Sequence, residues 1–373
     1  MPFIMLMYFL LGIVHENLQT AGRRFLEKAG IAKTITEQSL SAARNKLKWE
    51  AFEYLHSITV RTAYSGYTET WFGYHILAID GTKIALPHYP QLEECFGEEK
   101  GSPLARGSVL YDVKNDLIIS AKIAPLATDE RTLAKSHIGE LCDLSQCINR
   151  PLVIHDRGYA SEEYIQFLDS RNISFLFRIK RKFNKIIDDF PKQDEVIYLY
   201  GIKLRVLKIT LDSGEIETLL TNVFDMPFSE FKGLYYMRWS IETKYDMLKN
   251  KLEITNFSGR TENAIRQDFY IHMQYANILA VEVWEAQEEV DKENANKNLK
   301  YNYKININSA VGVFRDYLTR ILLAKDDDER AELWRKVLAL IKAETVPIRL
   351  NRDVPRIQNT RDAKEHHNQK SNL

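Results

Sequence analysis

The feature that most constrains the fold is a series of apolar runs between His75 and Ser161. HILAIDGTKIAL, GSVLYDV and LIISAKIA predict three strands, and the last two are joined by a turn near residues 114–116. A helix over about 129–147, a short strand over 151–156 and a helix from Ser161 follow, where Ser-Glu-Glu is typical of an N-cap with an acidic first turn. Hairpin strands followed by strand–helix–strand units predict an α/β fold: a mixed sheet with helices on both faces.

Two aspartates stand within this series. Asp80 lies inside the first apolar run, and Asp156 ends the short strand PLVIHD. A carboxylate in a run of Ile, Leu and Ala is costly to bury without a partner or a metal ion. An Asp before Gly-Thr can also mark a turn, so the run by itself leaves both interpretations open.

A third acidic position lies far downstream, in LYYMRWSIETKYDMLKNKLE. Tyr235, Arg238, Glu242 and Lys249 are spaced at i, i+3, i+7 and i+14, which places them within roughly 60° on one face of a single helix. A carboxylate flanked by two cations suits a metal ion acting on a phosphate. An amphipathic surface helix with ion pairs is the alternative. Asp246 shares the face, so spacing does not decide which acid matters.

The overall charge does not indicate a nucleic-acid partner. The 373 residues contain 51 Lys and Arg and 51 Asp and Glu, so any DNA surface must come from local segregation of charge. Cys95, Cys142 and Cys147 form no zinc-type pairs, which fits a reducing cytosol. The apolar run from Phe3 to Val14 is shorter than the roughly 20 residues that span a bilayer, so we expect a buried helix and no membrane contact.

A β-rich stretch separates Asp156 from the downstream helix. FLFRIK, EVIYLY, IKLRVLKITL and EIETLLTNV predict a small antiparallel insertion. Its first run opens a basic cluster with interleaved aromatic residues: Phe177, Arg178, Lys180, Arg181, Lys182, Phe183 and Lys185. Such a cluster suits a DNA backbone and an unstacked base. An exposed edge strand that lysines protect from aggregation is the alternative.

The N-terminal region, up to about residue 70, has helical patterning. Thr34 followed by Glu37 predicts a capping box, and the polar face of the helix that follows carries Arg44, Lys46 and Lys48. This helix could bind DNA in helix-turn-helix fashion or be an ordinary surface helix with lysines.

The acidic and cationic positions together match a known family pattern. Tyr235, Arg238, Glu242 and Lys249 read Tyr-x2-Arg-x3-Glu-x6-Lys, and AIDGTKIALP, VIHDRGY and NFSGRTENAIRQDFY agree elsewhere. On these segments the chain resembles, over nearly its whole length, the DDE transposases of bacterial insertion sequences. More narrowly it resembles the insertion-sequence-four family, whose signature is this four-residue pattern.

The resemblance implies a ribonuclease H-like catalytic domain in which Asp80, Asp156 and Glu242, and not Asp246, are the catalytic acids. They would hold two Mg²⁺ ions, for which Mn²⁺ can substitute, at the DNA strand to be cut. Carboxylate oxygens are suitable hard ligands for Mg²⁺. Two metals can activate a water or a 3′-hydroxyl and stabilise the leaving oxygen, so no covalent protein–DNA intermediate is expected.

The resemblance also implies a DNA-binding surface. Tyr235, Arg238 and Lys249 would grip phosphates at the transposon end. The basic cluster adds its own candidates for DNA contact, which are Arg178, Lys180 and Lys182. Implied partners are double-stranded DNA, as transposon ends and as target, and a second copy of the chain in a synaptic homodimer. The expected location is the bacterial cytoplasm, at the nucleoid.

The predicted organisation has five parts. We expect a helical DNA-binding domain (1–72), a first part of the catalytic core (73–172) and the β-rich insertion (173–226). The second part of the core with C-terminal helices (227–345) and a basic tail (346–373) would complete it.

The leading functional hypothesis is a transposase that binds terminal inverted repeats and catalyses DNA cleavage and strand transfer. The alternative is a catalytically inactive, domesticated copy that still binds DNA. A host nuclease on the same fold is a third hypothesis, and it would cut without inverted repeats.

Overall fold

The computed structural model describes residues 1–12, 18–66, 68–189, 191–212 and 214–349. Most of the predicted basic tail, from residue 350 onwards, lies outside these ranges. The helices within them are α1 (Phe3–Leu11), α2 (Leu18–Lys28), α3 (Glu37–Asn45), α4 (Glu50–Ala63), α5 (Pro90–Phe96), α6 (Glu130–Asp143), α7 (Glu162–Asp169), α8 (Lys185–Asp188), α9 (Glu230–Met237), α10 (Trp239–Asn250), α11 (Glu262–Asn294), α12 (Ile307–Leu322) and α13 (Asp327–Ala343).

The strands fall into two sheets. They are β1 (His75–Ala85), β2 (Glu98–Glu99), β3 (Ser102–Asp112), β4 (Leu117–Pro125), β5 (Pro151–His155), β6 (Ser174–Ile179), β7 (Asp194–Leu199), β8 (Ile202–Thr210), β9 (Ile216–Thr221), β10 (Tyr303–Ile305) and β11 (Thr345–Pro347). Among the described residues, β10 and β11 form a two-stranded sheet and the other nine strands form one large sheet.

The large sheet is mixed, as predicted. Its main path runs β2-β3-β1-β5-β6-β9-β8-β7, and β4 also pairs with β3. β1 pairs with β3 antiparallel and with β5 parallel, and β5 pairs with β6 parallel. The predicted elements between residues 75 and 169 are therefore confirmed, including the hairpin of β3 and β4, in which Asp116 takes a positive φ of 55°.

Local sequence explains the helices that flank these strands. The Asp129 carboxylate accepts hydrogen bonds from the Arg131 and Thr132 amides and caps α6. The Ser161 hydroxyl accepts from the Tyr164 amide and caps α7, at the predicted position. Contacts of α4 and α6 with β4, and of α7 with β6, leave the strands in the middle of the sheet with near-continuous buried runs.

The β-rich stretch is continuous with this sheet. β6, which begins one residue after the predicted boundary at residue 173, is the parallel neighbour of β5. β9 then pairs antiparallel with both β6 and β8, and β8 pairs with β7. The strands of the predicted insertion therefore extend the core sheet. The domain boundaries themselves stay a prediction.

The chain divides into two compact units. One contains residues 45–277, which include the large sheet and all the predicted site residues. The other contains residues 1–44 and the residues after 277. Within this second unit, α12 packs against α13, α1 and α2.

The N-terminal capping prediction was wrong in detail. α3 begins at Glu37, and the Thr36 hydroxyl, rather than Thr34, accepts a hydrogen bond from the Ser39 amide at 3.2 Å. The predicted basic face is absent from α3. Arg44 is buried at 2% exposure, and Lys46 and Lys48 follow the end of the helix. The expected basic face, on which a DNA-binding role of this helix depended, is therefore not present on α3.

The continuity of the sheet has a testable consequence for stability. Leu220 in β9 is fully buried between Phe177 of β6 and Val206 of β8. We expect Leu220→Ala to lower the free energy of unfolding by about 3 kcal/mol, because it leaves a cavity in the shared core. Ile216→Ala, at a residue that is 67% exposed in the same strand, should change it by less than about 0.5 kcal/mol. Urea denaturation of each variant measures its free energy of unfolding. A separate early transition for β7–β9 would contradict a common core.

Candidate active site

The two aspartates lie next to each other on neighbouring strands. The parallel register of β1 and β5 aligns His75 with Pro151 and Ala78 with Ile154. Continuing that register by two residues places Asp156 beside Asp80. Side chains in one register position of a parallel pair point to the same face of the sheet. The sheet therefore brings together two carboxylates that are far apart in sequence.

Arg178 continues this row on the next strand. The register of β5 and β6 aligns His155 with Phe177, so its continuation places Arg178 beside Asp156. The Arg178 guanidinium binds both carboxylate oxygens of Glu217 on β9, with Nε at 2.8 Å from Oε2. A bidentate pair of this kind fixes the plane of the guanidinium. Arg178 is thus held in place by a residue that the sequence did not single out.

The helix predicted over Tyr235–Lys249 is divided at Arg238. α9 ends at Met237 and α10 begins at Trp239, although Arg238 keeps helical dihedral angles (φ −54°, ψ −35°). The amide of Arg238 bonds to the Tyr235 carbonyl and the amide of Ile241 to the Arg238 carbonyl, both at 3.2 Å. Hydrogen bonds across three residues tighten the turn. The single uninterrupted helix was therefore a wrong prediction.

Arg238 forms an ion pair with Glu242. Its Nη2 lies 2.9 Å from Glu242 Oε1, one turn further along. The arginine is only 8% exposed, whereas the glutamate side chain is 52% exposed. Among the described atoms the Arg238 Nε is buried without a hydrogen-bond partner. The helix ion pair that was the alternative at the sequence level is thus present in the chain.

Tyr235 is less accessible than a phosphate contact requires. Its ring is 1% exposed and packs in the core with Ile76, Leu152 and Ile154. Burial raises the pKa of Tyr235, and the positive charges of Arg178 and Arg238 oppose that rise. The phenol is therefore buried in the core, yet close enough to both arginines for their charges to affect its pKa.

Side chains of α10 attach it to the strands that carry the aspartate. Lys249 Nζ donates to the Thr82 hydroxyl, and burial lowers the pKa of Lys249 while Asp80 opposes that shift. Lys244, which is 3% exposed, donates to the Asp116 carboxylate at 2.8 Å. Tyr245 donates its hydroxyl proton to the Asp80 carbonyl oxygen at 2.7 Å. α10 therefore contacts β1 at and just after Asp80.

Asp80 titrates abnormally because of its surroundings. Burial is the main cause and raises the pKa of Asp80 to about 6. The Gly81 amide, 2.9 Å from Oδ1, and the charge of Arg238 lower it, whereas Glu130 and Asp156 raise it. Glu242 is not among these influences. Among the described residues Asp80 thus has two acidic neighbours, Glu130 and Asp156, and two cationic neighbours, Arg238 and Lys249.

Sequence reasoning missed Glu130 and Tyr159. Glu130 begins α6, is paired with Arg106 and acts on Asp80 more strongly than Asp156 does. A side chain at Gly81 would meet its carboxylate at 3.3 Å. The Tyr159 hydroxyl is buried without a hydrogen-bond partner among the described atoms, and Asp80 and Glu130 are, after burial, the causes of its raised pKa. The position of Tyr159 three residues after Asp156 was the available signal.

The basic cluster is divided by burial. Phe177 is fully buried, so it cannot stack on a base. Lys180 and Lys182 are exposed in the turn after β6, and Lys182 has a positive φ of 65°. Because β5 and β6 are parallel, this turn follows the same edge of the sheet as Asp156. The turn therefore presents cations on the side of the sheet where the aspartate lies.

The carboxylates do not form a ready metal cage. Within the described ranges there is no group of three or more His, Cys, Asp or Glu side chains that could hold a metal ion. Asp80 and Asp156 are neighbours, whereas Glu242 is paired with Arg238. Glu242 thus lies near the site, but its carboxylate is directed to Arg238.

Comparison with known proteins identifies the family of the chain. Residues 71–278, more than half of the chain, match the family described as Transposase DDE domain. The chain belongs to this family. The match covers β1 to the middle of α11, and so includes Asp80, Asp156 and Glu242.

Two curated relatives carry provisional transposase names. The chain is 36% identical over 72 residues to y4zB of Sinorhizobium fredii, which covers 19% of the chain and 20% of that protein. It is 24% identical over 146 residues to InsZ of Escherichia coli, which covers 37% of the chain and 47% of that protein. The chain thus spans less than half the length of either relative.

One solved structure is a distant likeness. The piggyBac transposase in a synaptic complex with hairpin DNA matches with a TM-score of 0.41 and 12% identity, over 75% of this chain and 56% of that one. A likeness at that level carries no argument about the site. As for membranes, none of the described helices is both long enough and apolar enough to span one.

The raised pKa of Asp80 predicts how stability depends on pH. Its folded value of about 6 exceeds the unfolded value of 3.8, so between these values the folded chain binds more protons than the unfolded chain. The free energy of unfolding should therefore fall as pH rises through this window. Asp80→Asn removes the titrating group and therefore that loss. Without divalent metal, the free energy of unfolding of the variant relative to the wild type should increase as pH rises.

Urea denaturation on either side of the window measures this difference. Asp246→Asn, at an exposed acid on α10, should follow the wild type throughout. A constant difference between Asp80→Asn and the wild type would contradict the raised pKa.

Proposed function

We propose that this chain is a metal-dependent DDE transposase that binds the terminal inverted repeats of an insertion sequence and catalyses DNA cleavage and strand transfer. The observation that carries the proposal is the pairing of β1 with β5, which aligns Asp80 with Asp156 inside a transposase DDE domain. The proposed catalytic acids are Asp80, Asp156 and Glu242. The proposed setting is the bacterial nucleoid, with two copies of the chain holding two DNA ends.

The strand order supports a ribonuclease H-like core. Read from β4, the sheet runs β4-β3-β1-β5-β6, with an antiparallel hairpin on one side of β1 and two parallel strands on the other. A helix that follows the sheet, α10, contacts β1. In such a core one acid comes from the first strand, which is β1 here, and one from the end of the fourth strand, which is β5 here. A later helix, here α10, supplies the third acid.

The three carboxylates suit Mg²⁺ chemically, and two of the three already lie side by side. Asp80 and Asp156 offer hard carboxylate oxygens side by side, and they would hold the cation. Glu242 would join them only after its pair with Arg238 opens. A bound divalent cation would supply Lewis-acid activation of a water or 3′-hydroxyl and neutralise charge on the leaving oxygen.

Arg238 is suited to exchange one anion for another. Its guanidinium is held by the Glu242 carboxylate, and among the described atoms its buried Nε has no hydrogen-bond partner. A DNA phosphate, like a carboxylate, carries one negative charge and can accept two hydrogen bonds from a guanidinium. In this proposal a phosphate at the transposon end takes the guanidinium from Glu242, and Lys249 beside Thr82 stays near Asp80. Tyr235, buried close to both arginines, supports them.

The assignment to the insertion-sequence-four family rests on the pattern Tyr235, Arg238, Glu242 and Lys249. The ion pair of Arg238 does not remove it as a DNA contact, because a phosphate competes with the half-exposed Glu242 carboxylate. Arg178 stays a proposed DNA contact, although the side chain of its partner Glu217 is only 11% exposed. Lys180 and Lys182 extend the proposed DNA path along the turn after β6.

The decisive experiment is cleavage of defined DNA. We expect Mg²⁺-dependent nicking of a duplex that ends in the element's own inverted repeat, with Mn²⁺ as a substitute. Glu242→Gln should lower the nicking rate by roughly 10³-fold or more, as when one of a unit of catalytic groups is removed. Asp246→Asn on the same helix is the matched control and should retain activity. If Glu242→Gln nicks like the wild type, the assignment of the acid fails. Binding without nicking by the wild type would favour the domesticated, inactive copy.

Salt dependence tests the proposed DNA path. We expect Lys180→Ala and Lys182→Ala each to lower the slope of log K against log salt by about 1, because each lysine neutralises one phosphate. Binding to duplex DNA at several salt concentrations measures the slope. Lys292→Ala, at a lysine of α11 whose side chain is 73% exposed and which lies outside the predicted DNA-binding domain, is the control. Unchanged slopes for both turn lysines would place the DNA elsewhere.

A further inference from the structure

Tyr245 connects α10 to β1 at the candidate active site. Its hydroxyl donates to the carbonyl oxygen of Asp80 at 2.7 Å. Burial raises the pKa of Tyr245, and the backbone of Val109, the register partner of Asp80 in β3, opposes that rise. A side chain of α10 is therefore bonded to the backbone of the residue that carries the candidate acid.

The same tyrosine is three residues after Glu242. Residues at i and i+3 are neighbours on one side of a helix, so a restraint on Tyr245 also restrains Glu242. α10 also donates hydrogen bonds to Thr82, which lies two residues beyond Asp80, and to Asp116, which lies in the β3–β4 turn. Of these three contacts, only the Tyr245 hydroxyl reaches Asp80 itself.

We infer that Tyr245 is a positioning residue that fixes the separation between the strand carrying Asp80 and the helix carrying Glu242. This inference rests on the proposed function, because it matters for catalysis only if both acids serve one reaction. The hydroxyl is engaged by the backbone carbonyl of Asp80, so Tyr245 acts through the two acids and not on the DNA. No signature position includes it.

The geometry explains why such a restraint is needed. Glu242 is half-exposed and held by a mobile type of contact, a single ion pair to Arg238. When a phosphate takes Arg238, that contact is lost, and the position of Glu242 then depends on how α10 is attached to β1. A hydrogen bond to the backbone of Asp80 survives the exchange, since neither partner is charged.

The test is Tyr245→Phe, which removes the hydroxyl and keeps the ring. At saturating DNA and Mg²⁺ we expect the nicking rate to fall about 10- to 100-fold, because small displacements of reacting groups have effects on that scale. Binding to the inverted repeat should stay within about twofold, since a change in rate without a change in affinity is the mark of lost alignment.

Two further readouts do not depend on turnover. Mn²⁺ binding to the protein on a pre-cleaved DNA end, measured by electron paramagnetic resonance, should weaken in Tyr245→Phe. Hydrogen exchange should become faster in β1 and β3 around Asp80 and Val109. If Mn²⁺ affinity and exchange match the wild type, Tyr245 does not position the acids.

Two control variants separate positioning from folding. Tyr236→Phe removes a hydroxyl whose hydrogen-bond acceptor, among the described residues, is the exposed Asp212 at 3.4 Å, and should behave as wild type. Ser108→Ala removes a second side-chain donor to the Asp80 carbonyl, at 3.2 Å, and a hydroxyl 3.0 Å from the buried His137 Nε2, without touching α10. It should nick at near the wild-type rate. Equal losses in Ser108→Ala and Tyr245→Phe would mean that the carbonyl only needs a donor, and the inference would be overturned.

A general loss of structure is also distinguishable. If Tyr245→Phe loses DNA binding and circular dichroism in step with nicking, its role is in folding, and the inference fails. If the wild type does not nick inverted-repeat DNA at all, the proposed function fails. The Mn²⁺ and exchange measurements would still report whether Tyr245 couples α10 to β1.

Discussion

The parallel pairing of β1 with β5 is the interaction on which the candidate site depends. Its register alone brings Asp80 beside Asp156, which are separated by a hairpin and a helix in the chain. A shift of one residue would turn one carboxylate to the opposite face of the sheet. The buried runs of both strands prevent such a shift, because it would expose apolar side chains. The apolar core therefore fixes the chemistry of the site.

Bringing carboxylates together inside a protein has an electrostatic cost, and this chain offsets it with its own cations. The cost is visible in the raised pKa of Asp80, where burial dominates and Glu130 and Asp156 add to it. Arg238, Lys249 and Arg178 surround the row of acids, and two of them are paired with Glu242 and Glu217. An arrangement of this kind is stable without metal or DNA. It also leaves Arg238, whose partner carboxylate is half-exposed, able to exchange that partner for a phosphate.

Much of this fold was predictable from periodicity and turn chemistry. The strands β1 and β3 to β9, the start of α6 near residue 129 and the N-cap of α7 agree with their sequence patterns. The errors concern end positions and tertiary choices. Thr36 caps α3 because the helix starts later than the capping-box pattern suggested. Arg238 interrupts the helix through local tightening that no propensity records. Glu130, Glu217 and Tyr245 were missed because each acts across a strand or helix contact that spacing cannot reveal.

The sequence by itself determined the order of the elements, the presence of acids in two strands and one helix, and the family pattern. These depend on local patterning and on spacing along the chain. Only the tertiary structure decided which groups meet. It paired Arg178 with Glu217 and Arg238 with Glu242, placed Tyr235 in the core, and bonded Tyr245 to the backbone of Asp80 in β1. The physical reason is that partners of buried charges and hydroxyls are chosen by strand register and helix packing, which bring together residues with no fixed separation in sequence.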